Sequence, residues 1–219
     1  ILSEKLGSVH AKGSFRKLSY NPLLIDFCSN DYLGLARNEA VASMAHSILQ
    51  QYKPVANGSG GSRLISGHHS FIDKLEATVA TVHNAEAALV LNSGYNANMA
   101  VLSSIPQKNQ IILFDELSHA SIKDGMRLSF ADRYSFKHND CSDLENKLTR
   151  FADKVCYVVV ESVYSMDGDI APLVAIAELC DKTGAILIVD EAHSTGVWGK
   201  GGSGLVCQLG LEKQIPIRI

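Results

Sequence analysis

The chain has no apolar run approaching the roughly 20 residues of a membrane-crossing helix, so no span is expected. It has no excess of positive charge. Twenty Lys and Arg face 23 Asp and Glu, and a net charge of −3 offers nothing to nucleic acid or an anionic membrane. The N-terminus, Ile1-Leu-Ser-Glu-Lys-Leu6, lacks an initiator Met and any basic region leading into an apolar stretch. No secretory signal is expected from it, and the start reads as trimmed. No two cysteines form a C-x-x-C pair; the five, Cys28, Cys141, Cys156, Cys180 and Cys207, are odd in number and scattered. That predicts reduced thiols in a cytoplasmic protein, with Cys156 and Cys180 buried and inert. A G-x-x-x-x-G-K-[ST] phosphate loop is also missing, which removes an ATPase reading of Asp190-Glu-Ala-His193. Repeats, low-complexity tracts and clear linkers are absent as well.

What is present is an alternation of short apolar runs and amphipathic segments. Residues 1 to about 36 read as an irregular lead-in, with a possible short strand at Leu24–Cys28 and a turn cluster at Ser29–Gly34. The spacing of Val41, Met44, Ala45, Ile48 and Leu49 predicts a helix over 39–52, ended by Pro54. A Gly/Ser loop runs from Asn57 to Arg63, and a helix from Phe71 to His83 is predicted with Ser70 and Asp73 as its capping pair. Strands are predicted at Ala87–Leu91, Gln110–Phe114, Val155–Val160 and Ile186–Val189. Helices are predicted over 95–104, 122–128, 143–151 and 172–183, the last closed by Gly184. Strands alternating with helices imply an α/β fold, a mostly parallel sheet flanked by helices on both faces.

Each predicted strand runs into a polar cluster, and parallel strands bring those clusters to one edge, where ligands of open α/β sheets bind. Ser93, Gly94 and Tyr95 open a helix and can offer backbone N–H groups to a phosphate. His119 can stack on a flat ring. Asp190 is placed to pair with a ring nitrogen that must stay protonated, and His193 or Ser165 can donate to a phenolic oxygen. Taken singly these signals are weak. A Ser-Gly pair before a helix is usually a turn, and a lone His after a strand is more often structural. Asp-x-x-His suggests a metal pair, but no third ligand has recognisable spacing, so no metal is assigned. The glycines at 58–61 follow a predicted helix and carry no Lys, which fits a Rossmann loop poorly.

Together the motifs are specific. Asn30-Asp-Tyr-Leu-Gly34, Gly58-Ser-Gly-Gly-Ser-Arg63 with Ser66-Gly67, Ser93-Gly-Tyr-Asn-Ala-Asn98, Asp115-Glu-Leu-Ser-His-Ala-Ser121, Glu161-Ser-Val-Tyr-Ser-Met-Asp-Gly-Asp169 and Asp190-Glu-Ala-His-Ser-Thr-Gly196 occur in this order. With them the chain resembles the α-oxoamine synthases, transferases of fold type I that depend on pyridoxal phosphate (PLP), over essentially its whole length. The resemblance implies that Ser93, Gly94 and Tyr95 hold the PLP phosphate, His119 stacks on the ring and Asp190 pairs with the pyridine nitrogen. It implies that His193 and Ser165 address the phenolic oxygen while Glu161 supports the site from behind, with His119, Asp190 and His193 the catalytic set. Asn30 and Arg63 would bind substrate, Asn30 in a site completed across a homodimer interface. For Arg63 a structural salt bridge is an equal alternative, and His68 and His69 read as loop residues.

The implied reaction is a decarboxylative condensation of an amino acid with an acyl-CoA or acyl-ACP thioester. Nearest in pattern are members that join L-alanine to a pimeloyl thioester in biotin biosynthesis. Serine palmitoyltransferase, another α-oxoamine synthase, and a non-catalytic subunit or fragment of the same fold are alternatives. The expected division is an N-terminal segment over 1–40 and a PLP-binding large domain over 41–219, without the family's C-terminal small domain. The family's imine-forming lysine would lie a few residues beyond the segment matching Ile215–Ile219, and Lys200 and Lys213 do not match its motif. The expectation is therefore the N-terminal part of a synthase, inactive and poorly soluble by itself.

Overall fold

Apolar residues that alternate along short strands have two faces to bury, and here both are buried. In the computed structural model, which describes residues 2–18, 24–52 and 58–219, five parallel strands form one sheet in the order β2-β1-β3-β4-β5. They are β1 (Ile111–Asp115), β2 (Asp132–Phe136), β3 (Cys156–Glu161), β4 (Ile186–Asp190) and β5 (Ile217–Arg218). Ile111, Leu113, Val158, Val160, Leu187 and Val189 point to one face. There they pack on Leu144 and Leu148 of α6 (Cys141–Arg150) and on Leu173, Ile176, Ala177 and Cys180 of α7 (Leu173–Thr183). Ile112, Tyr157, Val159 and Ile188 point to the other, against Leu102 of α4 (Gly94–Ser104) and Ile122 and Met126 of α5 (Ala120–Leu128). A parallel sheet covered on both faces, as expected, needs strands with near-continuous apolar runs, and β3 and β4 have them up to their last residues, Glu161 and Asp190. Cys156 and Cys180 are buried in this core, and burial pushes the Cys180 thiol up to about 12.

Local signals set several boundaries. Ser93 caps α4 by accepting the Asn96 N–H at 3.1 Å. Gly184 closes α7 at φ 74°, a left-handed position suited to glycine. Gly125 lets α4 and α5 cross closely, since a Cβ there would lie 2.9 Å from the Asn98 carbonyl oxygen and 3.0 Å from Met99 Cα. Other elements depart from expectation. Ala87–Leu91 forms no strand: Leu89 is 70% exposed, and the Val90 N–H donates to Glu76 Oε1 at 2.8 Å. An apolar run becomes a strand only when a neighbouring backbone pairs with it. In the other direction, β2 has no apolar run and only Phe136 buried, yet it pairs along β1 from Ile111↔Asp132 to Asp115↔Phe136. The helix α3 (Ser70–Val82) is capped at His69 without a side-chain bond, and Asp73 pairs with His68 Nε2 at 2.8 Å instead of with Ser70. The helix α2 (Glu39–Gln50) starts at Asn38, which accepts the Val41 N–H. Pro54 and Asn57 lie outside the described residues. The last helix, α8 (Leu205–Leu209), has no counterpart among the elements predicted above.

The chain divides into two units, Ile1–Tyr32 and Leu33–Ile219. In the first, Leu2–Ala11 forms the helix α1, where an irregular lead-in was expected. Leu24–Cys28 is not a strand, having no pairing partner among the described residues, and Leu24, Ile25 and Phe27 are exposed. The turn at 26–31 is held by side chains: Asp26 Oδ1 accepts the Cys28 N–H and Ser29 Oγ the Asp31 N–H, both at 2.9 Å. No helix among the described residues is long and apolar enough to cross a membrane.

Candidate active site

The carboxyl ends of β1, β3 and β4 place Asp115, Glu161 and Asp190 along one edge, with Glu161 and Asp190 register partners on adjacent strands. A turn after β1 makes His119 the N-cap of α5, and α4 begins after Ser93. Three segments far apart in sequence thus converge because their strands run parallel, and the packing of α4 on the sheet through Leu102 brings the fourth.

Asp190 is 6% exposed. Its Oδ2 accepts from Asn98 Nδ2 at 2.7 Å and its Oδ1 from the Ala192 N–H at 2.9 Å. Asn98, 3% exposed, also donates to Ser121 Oγ at 3.0 Å. Ser121 Oγ lies 2.7 Å from His119 Nδ1, and the Ser121 N–H donates to the same nitrogen at 3.2 Å. The His119 backbone N–H donates to Glu161 Oε1 at 2.6 Å. His119 is otherwise exposed, with the Tyr95 ring edge-on at 6.2 Å. Tyr95 is itself held through its hydroxyl, which donates to Asp124.

Glu161 is 3% exposed. Burial first, and then the Asp190 charge beside it, push its carboxyl up to about 7, against the N–H groups of His119 and Ser165 that favour the anion. It is a group poised to exchange a proton near neutrality. Ser165 is exposed in the turn closed by the Val163↔Ile170 bridge, and His193 is half-buried in the turn after β4.

Arg63 lies in the loop before α3. Its guanidinium meets Glu76 through two bonds, 2.7 and 2.9 Å, with His68 Nδ1 at 3.4 Å. The Arg63 bond holds the Glu76 carboxyl down at about 2, assisted by the Val90 N–H. Asn30 belongs to the first unit.

Two features escaped the sequence reading. One is Asn98, although its place four residues beyond Gly94 on a predicted helix was a usable signal. The other is His138, whose Nδ1 faces Asp115 Oδ1 at 2.9 Å and whose Nε2 faces Asp169 Oδ2 at 2.7 Å. A ring with both nitrogens on carboxylates is an imidazolium. Burial pulls its pKa down, but bonds to Asp115 and Asp169 outweigh that and leave it raised. This ion ties the turn bearing Ser165 to the end of β1. No local motif marks it, because Asp115 and Asp169 are 23 and 31 residues from His138.

The donor set fits a phosphorylated ring with a basic nitrogen. The first amides of α4 have no intrahelical acceptor, and a Cβ at Gly94 would meet open space. His119 offers an exposed flat face, and Asp190 a buried anion oriented by two neutral N–H groups.

Residues 22–217 match the class I and II aminotransferase family. A putative 8-amino-7-oxononanoate synthase of Bacillus licheniformis is 42% identical over 218 residues, 99% of this chain and 57% of that protein. The 8-amino-7-oxononanoate synthase of Emericella nidulans is 43% identical over 93% of this chain and 53% of its own. Among solved structures, a serine palmitoyltransferase from S. paucimobilis with bound PLP-myriocin superposes with a TM-score of 0.84 at 29% identity, covering 98% of this chain and 57% of that one. The 8-amino-7-oxononanoate synthase of Francisella tularensis gives 0.69 at 30% identity, covering 90% and 52%. The chain thus spans about half the length of these relatives.

Proposed function

We propose a reaction from one premise: the chain belongs to the class I and II aminotransferase family, with the α/β architecture of fold-type-I PLP-dependent transferases. PLP is the cofactor, supported by PLP-bound relatives of the same fold. The reaction is α-oxoamine synthesis, in which an amino acid and an acyl thioester condense with release of CO2 and the thiol carrier. L-alanine and a pimeloyl thioester, giving 8-amino-7-oxononanoate, are the preferred substrates, a choice supported by the sequence relatives. The observation that carries the cofactor site is the buried Asp190 carboxylate, held by Asn98 beside His119 at the sheet edge.

Bound PLP supplies an electron sink for a carbanion at the amino acid α-carbon. The chain's residues do the rest. The amides of Gly94 and Tyr95, with Ser93, hold the phosphate. Asp190 keeps the ring nitrogen protonated, and His119 covers the ring face and excludes water from it. Ser165 and His193 donate to the phenolic oxygen. Glu161 fixes the His119 backbone and holds or yields a proton beside Asp190. Asn30 and Arg63 contact substrate, in a homodimer with the site at its interface. For Arg63 this requires that the guanidinium keep Glu76 while reaching substrate.

A second reading, serine palmitoyltransferase, is favoured by the higher TM-score of 0.84 against 0.69. CoA release and product mass separate the two. We expect product from L-alanine with pimeloyl-CoA, and little from L-serine with palmitoyl-CoA. The reverse order selects the second reading. Release with neither pair, by a protein that binds PLP and forms a borohydride-stable lysine adduct of the expected mass, would sink both.

A further inference from the structure

We infer that Asn98 is a positioning residue: its amide sets the Asp190 carboxylate and, through Ser121, the His119 imidazole, as one unit facing the cofactor ring. The inference rests on the PLP reading above and adds a residue that reading does not use. Asn98 lies on α4 just past the first turn, whose amides at Gly94 and Tyr95 are the phosphate cradle. One helix therefore spaces the phosphate anchor from the nitrogen anchor.

The geometry leaves little choice of side chain. An amide NH2 has two hydrogens, and both are spent, on Asp190 Oδ2 at 2.7 Å and Ser121 Oγ at 3.0 Å. Turning the amide over would set its oxygen against a carboxylate oxygen at contact distance. The amide oxygen that results from the observed orientation, Oδ1, is buried without a partner among the described residues. A buried acceptor left unbonded is a cost, tolerated here because the two donated bonds are needed. Aspartate at this place would oppose two like charges, and leucine would leave Asp190 Oδ2 without its donor. Gly125 holds the α4 backbone at Asn98 against α5, which carries Ser121, so the crossing is tight where the relay passes.

The relay also sets a tautomer. The Ser121 N–H donates to His119 Nδ1, which makes Nδ1 the acceptor, so Ser121 Oγ, itself accepting from Asn98, gives its hydrogen to the same nitrogen. With two donors on Nδ1, the neutral ring carries its hydrogen on Nε2.

The test compares two ligands, PLP and its 1-deaza analogue, in which C–H replaces the ring nitrogen. Binding is followed by cofactor fluorescence with unmodified protein and Asn98→Ala. We expect unmodified protein to prefer PLP. Asn98→Ala should weaken PLP about tenfold, the scale of one hydrogen bond to a charged group, and leave the analogue within about twofold. Equal weakening of both ligands would assign Asn98 to packing alone, and no change would remove it from the site; either overturns the inference. Unmodified protein that binds neither ligand, or both alike, would instead overturn the PLP reading beneath it. Imidazole 15N shifts of His119 in unmodified protein supply a check should Asn98→Ala not fold. The Nε2–H pattern is expected, and the Nδ1–H pattern contradicts the relay.

Discussion

Residues 111–190 and residues 39–91 both carry apolar residues at regular spacing, but they use them differently. In the first stretch the strands and helices bury them; Ile112, Leu113, Ile122, Val158 and Ile188 are inaccessible or nearly so. In the second, α2 buries no residue and α3 only Ala80, and the loop between them leaves Leu64 97% and Ile65 86% exposed. The contrast shows that periodicity tells which face of an element is apolar, and that what covers the face is a separate matter. The polar network belongs to the well-packed region. Asp190, Glu161, Asn98 and Ser121 are buried, the Asn98 amide hydrogens are bonded to Asp190 and Ser121, and the low polarity around them is what perturbs Glu161.

The largest effect sharpening this comparison comes from matched truncations. Ile188→Ala, between β3 and β5, should cost about 3–4 kcal/mol in denaturant unfolding, from lost burial plus the cavity left. Leu64→Ala should stay within about 0.5 kcal/mol, as exposed changes do. Similar losses at both sites would abolish the distinction.

Next in size is the pH dependence from Glu161. Its carboxyl titrates at about 7 in the fold against 4.5 ordinarily, so folding takes up a proton between those values. The stabilisation of the protonated form is complete below about 4.5 and is lost as pH rises through about 7. Glu161→Gln mimics the protonated state. Its stability relative to unmodified protein should therefore rise across pH 4.5–8, by on the order of 3 kcal/mol. A difference that stays flat over that range would mean Glu161 is not the buried, anion-facing group described.

The smallest effect compares two glycines. Gly125→Ala drives a Cβ to 2.9 Å from the Asn98 carbonyl oxygen, so it should destabilise by about 1–3 kcal/mol. Gly94→Ala meets nothing within 4 Å of its new Cβ and should cost well under about 1 kcal/mol. Thermal melts of both variants measure the difference. If Gly94→Ala proved the more damaging, the openness of the α4 N-terminus would be in error.

Much of the architecture was legible locally. β1, β3 and β4 are apolar runs ending in polar residues, and α7 runs to a glycine that takes the left-handed conformation a helix end requires. Ala87–Leu91 shows the limit, since its composition suits a strand and no strand among the described residues pairs with it. β2 shows the converse, because Asp132-Arg-Tyr-Ser-Phe136 has little strand character and is placed by its ladder with β1. In the site, the residue types expected for a phosphate, a ring face and a ring nitrogen were visible from their positions after strands. The bonds that orient them were not.

By itself the sequence determined the order of elements, their periodicity and the chemical character of each strand end, because these depend on residues within a few positions of one another. Only the tertiary structure decided that Asn98 meets Asp190 across 92 residues, that Glu161 lies beside Asp190, and that Asp115 and Asp169 share one imidazolium. Strand register and helix crossing are settled by simultaneous burial of both sheet faces, and electrostatic shifts follow from the distances that burial imposes.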